Sequence, residues 1–336
     1  SAYRERILVP YPVQSALSGI GRHDEDMWYR RTFTLPAEWR QQRVVLNFGA
    51  VDQIATVWVN DHLVASHAGG YTAFSADITD ALRYDGSDEI AVHVADRNES
   101  NPFPVGKQRN KPGGLFYTGA SGIWQTVWVE PVPHTHIEKI DITTDLNSIT
   151  VTPRAAAEGG ERAVVFASKP GGRVVAVASG APGEAITMPI PGPRLWSPAD
   201  PYLYDLKVAL VDPTGTVVDV VSSYAGLRTV GAVKDLKGRP RIALNGEITF
   251  LHGPLDQGYW PDGIYTAPTD EALMSDLRWV KDLGMNFVRK HAKVEPARWY
   301  YWADRLGVLV VVARGVAPWM VTPYSSADAA TRAALA

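Results

Sequence analysis

The 336 residues contain no cysteine. That excludes disulfides, thiolate metal sites and a cysteine nucleophile, and leaves the compartment open. Long hydrophobic runs are missing too. Residues 308–313 form one of the longest, far short of the ~20 residues that a membrane-spanning helix needs. Neither sign of charge is in excess: 33 Lys and Arg stand against 36 Asp and Glu, a net charge of −3. Neither nucleic acid nor an anionic membrane is therefore expected as a partner. Ser1 opens directly into polar sequence, so no signal peptide is expected within the chain, and the cytoplasm is slightly favoured over export. No cofactor and no metal ion is expected.

What is present is an ordinary globular composition, 46% hydrophobic and 21% charged. At roughly 100–200 residues per domain the length suits two or three domains. Aromatics are plentiful, with 11 Trp and 14 Tyr. Such rings stack on sugars, but most are expected to fill sandwich cores and interfaces.

Residues 1–133 read as all-β. Trp28-Tyr29-Arg30-Arg31-Thr32-Phe33-Thr34 alternates large and polar side chains as a half-buried strand does. Two β-rich runs, 55–59 and 63–66, flank Asn60-Asp61-His62, a hairpin signal. Residues 89–94 and 125–129 add further strands. Many short strands without helices imply a sandwich or jelly roll. Between the last two strands lies a loop, 96–122, rich in Gly, Pro, Asn, Lys and Arg. A loop that long is functional or disordered more often than incidental. Its closing aromatics, Phe116, Tyr117 and Trp124, favour an ordered loop packed on something, with a structural interdomain loop as the alternative. Asn98-Glu99-Ser100 matches a glycosylation sequon, a short and common pattern.

Pro131-Val132-Pro133 reads as a linker into a second β module over 134–230. Its regularly spaced strands and Gly/Pro turns suit an immunoglobulin-like sandwich with no evident chemistry, a spacer. From Gly231 the pattern changes. Asn245-Gly246 marks a hairpin, and 250–253 reads as a first buried strand. Thr269 is placed to cap a helix whose apolar positions are Leu273, Leu277, Val280 and Leu283. Strands at 286–289 and 308–312 bracket a second helix, with Pro296 in its first turn and Gly307 at its end. That order, β-α-β-α-β, opens a (β/α)₈ barrel or a doubly wound sheet. The alanine-rich tail from Ser325 looks like a third helix. The second strand runs into Arg289-Lys290-His291, as a strand does where its C-terminal end opens into a site.

The order of modules resembles family 2 of the glycoside hydrolases, the group of β-galactosidases, β-glucuronidases and β-mannosidases. The resemblance spans the chain. It rests on Asn47-Phe48-Gly49-Ala50-Val51-Asp52 with Val57-Trp58-Val59-Asn60, on Ser121-Gly122-Ile123-Trp124, on Leu195-Trp196-Ser197-Pro198, and on Asn286-Phe287-Val288-Arg289-Lys290-His291 with Asp304-Arg305-Leu306-Gly307. It implies a jelly-roll sugar-binding domain over 1–133, an immunoglobulin-like β-sandwich over 134–230 and the incomplete start of a TIM barrel over 231–336. The implied reaction is retaining hydrolysis of a β-linked glycoside, most like the β-galactosidase branch. Retention needs two carboxyls ~5–5.5 Å apart, one attacking carbon and one protonating the leaving oxygen. In the family these glutamates follow the fourth and seventh barrel strands, so no catalytic residue is expected in this chain, which alone should be inactive. The resemblance carries over a pocket wall. Arg289 would hold a catalytic carboxylate ionised, and His291 and Asp96 would bond sugar hydroxyls. Asp256, Gln257 and Trp260 would face substrate from the loop after the first strand. Carbohydrate is the expected partner, with a second copy of the chain, met through the β domains, as a further candidate. Two departures stand out: Ala313 where the family carries an acid at the third-strand end, and Lys290 where it has a small residue. A non-catalytic carbohydrate-binding or interaction protein is the rival reading.

Overall fold

The computed structural model describes residues 3–99, 103–157 and 159–313. The expected third helix, in the tail from Ser325, lies outside them.

The first module is two sheets face to face. One has the order β1-β7-β4-β5, from β1 (Asp26–Phe33), β4 (Ile54–Val59), β5 (His62–Ala68) and β7 (Asp88–Ala95). The other is β11-β2-β6, from β2 (Arg43–Phe48), β6 (Phe74–Asp77) and β11 (Val127–Val132). A short pair, β3 (Val51–Asp52) with β10 (Gly122–Ile123), closes one end. Two-residue strands β8 (Gln108–Arg109) and β9 (Tyr117–Thr118) pair within the long loop. Alternation buries Val44, Leu46, Phe48, Val57, Val59, Val92 and Val94 between the sheets. The hairpin at Asn60-Asp61 forms because both residues accept positive φ, 48° and 69°, which matches the twist of the strands. The expected linker at Pro131 is instead the end of β11, an edge strand where a missing N–H costs no ladder bond.

The second module is a seven-stranded sandwich, as an immunoglobulin-like reading expects. One sheet is β12 (His136–Thr144), β13 (Ser148–Ala156) and β16 (Ile186–Pro189). The other runs β15-β14-β17-β18, from β14 (Arg162–Ser168), β15 (Val174–Gly180), β17 (Tyr204–Val211) and β18 (Val217–Ala225).

Beyond it, β19 (Val230–Lys234), β20 (Pro240–Leu244) and β21 (Glu247–Ile248) form a small meander through the Asn245-Gly246 turn. A parallel sheet follows: β22 (Leu255–Asp256), β23 (Phe287–His291) and β24 (Leu309–Ala313). It is packed by α1 (Asp270–Asp282) and α2 (Ala297–Leu306), the only α-helices among the described residues. Thr269 caps α1, accepting from Ala272 N at 3.0 Å, and Gly307 ends α2 with φ 77°. Leu277, Val280, Val288, Trp299, Ala303 and Val308 form the core between helices and sheet.

Three details differ from expectation. Residues 250–253 are not a strand, and Phe250 is exposed; the ladder begins only at Leu255. Pro254 supplies no N–H, and Gly253 passes so close to Phe287 that a Cβ there would sit 1.6 Å from its carbonyl oxygen. Leu283 is the exposed C-cap of α1, while Met274 fills the core position. Pro296 is the N-cap of α2 rather than a residue within its first turn.

The second module is fixed to α2 through Asp304. Its carboxylate accepts from Arg228 Nη1 at 2.8 Å and Tyr224 Oη at 3.1 Å, and its carbonyl accepts from Trp196 Nε1 at 2.8 Å. A cleft of about 500 Å³ lies beside this joint, but its charges, Arg228 and Asp304, are spent on each other. Replacing Asp304 with Ala leaves Arg228 half-buried without its partner. Stability should fall by about 1–3 kcal/mol, read by calorimetry as a lowered transition for the helical module with the first sandwich's transition unmoved.

Candidate functional site

The end of β23 is organised by alternation. Val288 and Lys290 share the face that packs on the helices; Phe287, Arg289 and His291 share the opposite face. The run of three charges is therefore split between two environments. Lys290 is 0% exposed. Its Nζ donates to Asp256 Oδ2 at 2.5 Å and Glu295 Oε1 at 2.7 Å, over the Trp299 ring at 4.4 Å. Lys293 joins the same network. Its Nζ donates to the carbonyls of Gly258 (2.6 Å) and Tyr265 (2.8 Å) and pairs with Glu295 Oε2 at 3.1 Å. Burial pulls Lys293 down to about 8, with Glu295 opposing that shift. Two ammonium groups and the Glu295 carboxylate thus lie together away from water beneath the strand, with the partly exposed Asp256 at their edge.

The other face meets the first module. The long loop touches down where Gly106, φ 62°, abuts Ala292: a Cβ there would lie 2.4 Å from the Ala292 carbonyl oxygen and 2.8 Å from Tyr71 Oη. Only glycine fits this approach. The next residue, Lys107, is buried to 7% exposure, and its charge acts on His291. His291 is 6% exposed, with a buried Nδ1 that has no hydrogen-bond partner. Burial first, then Lys107 and Arg289, hold its imidazole below the ordinary value. Arg289 is exposed, and among the described residues neither Arg289 nor Lys107 has an ion-pair partner. Lys107 and Arg289 therefore form a cationic pair beside the His291 imidazole, with no anion paired to them among the described residues. Aromatics seal the seam around it. Tyr117 stacks on Tyr259 at 4.2 Å, Tyr71 Oη meets Tyr265 Oη at 2.8 Å, and Trp124, 0% exposed, packs on Tyr265 while donating to Gly70 O at 2.7 Å. The described part of the loop, 103–122, is thus both a clamp against the later module and the carrier of Lys107.

Deeper in the first module two carboxyls sit close together. Asp52 accepts from Gln108 Nε2 at 2.7 Å, and burial followed by the nearby Asp96 raises it well above the usual carboxylate range. Asp96 is 0% exposed, and neither of its oxygens has a full hydrogen bond among the described residues. Burial lifts it to about 6 against the pull of the Ser121 hydroxyl and His23.

The residues singled out from sequence separate accordingly. Arg289 and His291 stand on the same face of the strand, Arg289 exposed and His291 buried against the long loop. Asp96 is shut off from solvent, so it offers no oxygen to a sugar in this arrangement; it faces a second carboxyl instead. Asp256 is spent on Lys290 and on Gly258 N, which it accepts at 2.7 Å. Gln257 follows it with a buried, unpartnered Oε1. Trp260 belongs to a tight turn, exchanging backbone bonds with Ile264 at 2.7 and 3.0 Å, and makes no ring contact with the cationic face among the described residues. Asn98 is 1% exposed, so it presents no glycosylation site; Ser100 lies outside the described residues. Lys107, Lys293 and Glu295 were not legible as site residues, although the spacing Lys290, Lys293, Glu295 was a signal in plain view. Among the described residues no group of three or more His, Asp or Glu could hold a metal, and no helix is long and apolar enough to cross a membrane.

Two family models match the chain: glycosyl hydrolases family 2, sugar binding domain, over residues 3–127, and glycosyl hydrolases family 2 over 135–228. The chain is 28% identical to a β-glucuronidase of Felis catus across 94% of its own length and 52% of that protein's. It is 27% identical to a β-galactosidase of Thermoanaerobacter pseudethanolicus, covering 84% of itself and 38% of the other. The chain thus spans about half or less of the length of these curated relatives. Among solved structures, a β-glycosidase from Bacteroides vulgatus superposes with a TM-score of 0.74 at 24% identity, over 93% of this chain and 41% of that one. A β-glucuronidase from Ruminococcus gnavus in complex with D-glucuronic acid gives 0.73 at 23%, over 90% and 53%. These two likenesses show a shared fold.

Two measurements probe the seam. Glu295→Gln leaves Lys290 and Lys293 buried with too little negative charge, and stability should drop by about 3–5 kcal/mol in urea unfolding followed by tryptophan fluorescence. Asp96 holds its proton more tightly folded than unfolded. Its contribution is full below the ordinary carboxylate value of 3.8 and is lost as pH rises through about 6. Asp96→Asn should therefore raise the melting temperature near pH 8, by an amount equivalent to about 1–3 kcal/mol, with the gain gone near pH 4. Melting curves across that range check the sign.

Proposed function

Because the chain belongs to glycosyl hydrolase family 2, we propose that it is the N-terminal part of a retaining β-glycoside hydrolase whose sugar sits at this seam. We read residues 1–133 as a jelly-roll domain, 134–230 as an immunoglobulin-like sandwich and the module from 231 as the opening of a (β/α)₈ barrel. The catalytic glutamate pair is then supplied by later barrel strands. The carboxylates at the described strand ends support this, since Asp256 and Glu295 are committed to Lys290 and Lys293, leaving no free pair with the separation that retention requires.

One observation carries the choice of substrate. Lys107 and Arg289, beside the His291 imidazole, form a cationic face with no anion paired to it among the described residues. A glycoside that brings its own carboxylate, a β-linked uronide, completes that face better than a neutral galactoside. The D-glucuronic acid complex of the structural relative is in keeping with this reading. In it Lys107 meets the sugar carboxylate. Arg289 keeps the attacking glutamate ionised by charge and hydrogen bonding. His291, neutral near pH 7 because its affinity for a proton is lowered, donates to a sugar hydroxyl.

The test uses the enzyme carrying this chain together with the rest of its barrel. It should turn over 4-nitrophenyl β-D-glucuronide in preference to the β-D-galactoside. Lys107→Met should raise KM for the glucuronide about tenfold, the loss of one charge-assisted contact, and leave the galactoside nearly unchanged. Arg289→Met should depress kcat on both. A galactoside preference, or an equal effect of Lys107→Met on both substrates, would remove Lys107 from carboxylate recognition. Residues 1–336 alone should hydrolyse neither.

A further inference from the structure

We propose that the outer face of the four-stranded sheet in the first module is a second glycan-binding surface, distinct from the seam, that takes the ring of an uncharged pyranoside. The residues pointing away from the core there are Trp28 and Arg30 on β1, Ala91 and His93 on β7, and Thr56 and Trp58 on β4. Trp28 pairs across the ladder with His93, and Ala91 lies between Arg30 and Trp58. The small Ala91 side chain leaves a depression of about 340 Å³, walled by Trp28, Trp58 and Tyr3, whose ring lies under Arg30 at 5.0 Å, and edged by Asn60, Asp61 and Glu89.

The aromatic wall is built before any ligand arrives. Trp28 stacks on Trp58 at 5.3 Å with planes 24° apart and leans on His93 at 4.7 Å. His93 is itself held by Asp26, with Nε2 at 3.2 Å from its carboxylate. Yet Trp28 stays 51% exposed and lies on the far side of the sheet from the sandwich core. An indole braced from behind and open in front binds a ring with little loss of side-chain entropy. Its π face is negative, and the polarised axial C–H groups of a pyranose suit that face. The hydroxyls at the sugar's edge need acceptors, and the rim offers them. The Asp61 side chain is 100% exposed and Glu89 36%, and their contacts to Arg83 and Arg30 are long, 3.8 and 3.5 Å.

The rim charges are balanced, Asp61 by Arg83 and Glu89 by Arg30, so the surface holds no uncompensated cation for a uronate and suits neutral sugar, unlike the cationic seam. A stable protein interface needs about 800 Å² a side around an apolar centre. Here the exposed apolar side chains Trp28, Ile54 and Leu63 stand among Asp26, Arg30, Thr32, Thr56, Ser66 and Glu89, too scattered for that. The module carrying the face matches a family domain described as sugar binding.

The test is affinity electrophoresis of the full chain through gels containing soluble β-1,4-galactan, xyloglucan or polygalacturonate. At least one neutral polysaccharide should retard the protein and polygalacturonate should not. Trp28→Ala should weaken that retardation about tenfold, as loss of a stacking platform does, and Trp28→Phe should keep most of it. Lys107→Met should be retarded as much as the parent relative to its own mobility in a gel without polysaccharide, which separates this surface from the seam whether or not the uronide reading holds. Two results overturn the proposal: no retardation by either neutral polysaccharide, or equal retardation of Trp28→Ala with an unchanged melting temperature. Sedimentation that shows a dimer lost in Trp28→Ala would assign the face to a second copy of the chain instead.

Discussion

The structure turns on a buried charge network that no single segment could sustain. Lys290 and Lys293 leave water together with Glu295, Asp256 closes the network from its partly exposed edge, and further donor bonds of Lys293 go to the carbonyls of Gly258 and Tyr265. Desolvating such ions costs several kcal/mol each, so the network adds little net stability compared with an apolar core. What it gives is position. The Gly258 carbonyl belongs to the loop after β22, Lys290 to β23, and Glu295 to the turn before α2. All three must take one arrangement for the charges to be satisfied, and that arrangement sends Arg289 and His291 to the opposite face.

The first module is fitted to this arrangement through close approaches that admit no side chain. Gly106 rests on Ala292, and Gly70 lies where a Cβ would be 2.3 Å from Asp52 Oδ1. Between them Tyr71, Trp124, Tyr259 and Tyr265 pack as a continuous aromatic joint. The Lys293 ammonium, 4.7 Å from the Tyr265 ring centre and 5.4 Å from that of Trp124, ties the joint back to the charge network. The loop at 96–122 tolerates its length because it is anchored at Gly106, Gln108 and Tyr117 along its course. That anchoring brings Lys107 to within electrostatic reach of a histidine 184 positions away in sequence.

Local rules were legible in the sequence, and distant pairings were not. Strand alternation, the turn at Asn60-Asp61, the Thr269 cap and the Gly307 stop depend on neighbours within a few residues, and each appears where the pattern put it. Arg289-Lys290-His291 read as one charged run, although period-two alternation already requires Lys290 to face away from the other two. Lys290 stood out as a departure from the family because its compensation, Glu295 with Lys293, shows only once the strand end and the α2 turn are folded together. Phe250 misled for a similar reason. Its apolar neighbours suggest a strand, but Gly253 and Pro254 determine where the ladder can start. Asp96 was placed at a sugar by the family resemblance, whereas its surroundings, Asp52 and Ser121, reach it only through sandwich topology.

The first module presents two surfaces of opposite character: a cationic face where its loop meets β23, and an acid-rimmed aromatic face on the outside of its sheet. A glycan with a charged terminal residue and a neutral interior would match both. Tethering by the neutral portion then converts capture of the terminal sugar into an intramolecular event, with an effective concentration set by the length and stiffness of the intervening chain. That benefit vanishes for a free monosaccharide glycoside, which is too short to touch both faces. The sheet face lies on the side away from the sandwich core, so on the proposed reading its occupancy acts through local concentration. On the same reading, a gain confined to long substrates and visible only below saturation is what such tethering produces, because it alters encounter and leaves the chemical step unchanged.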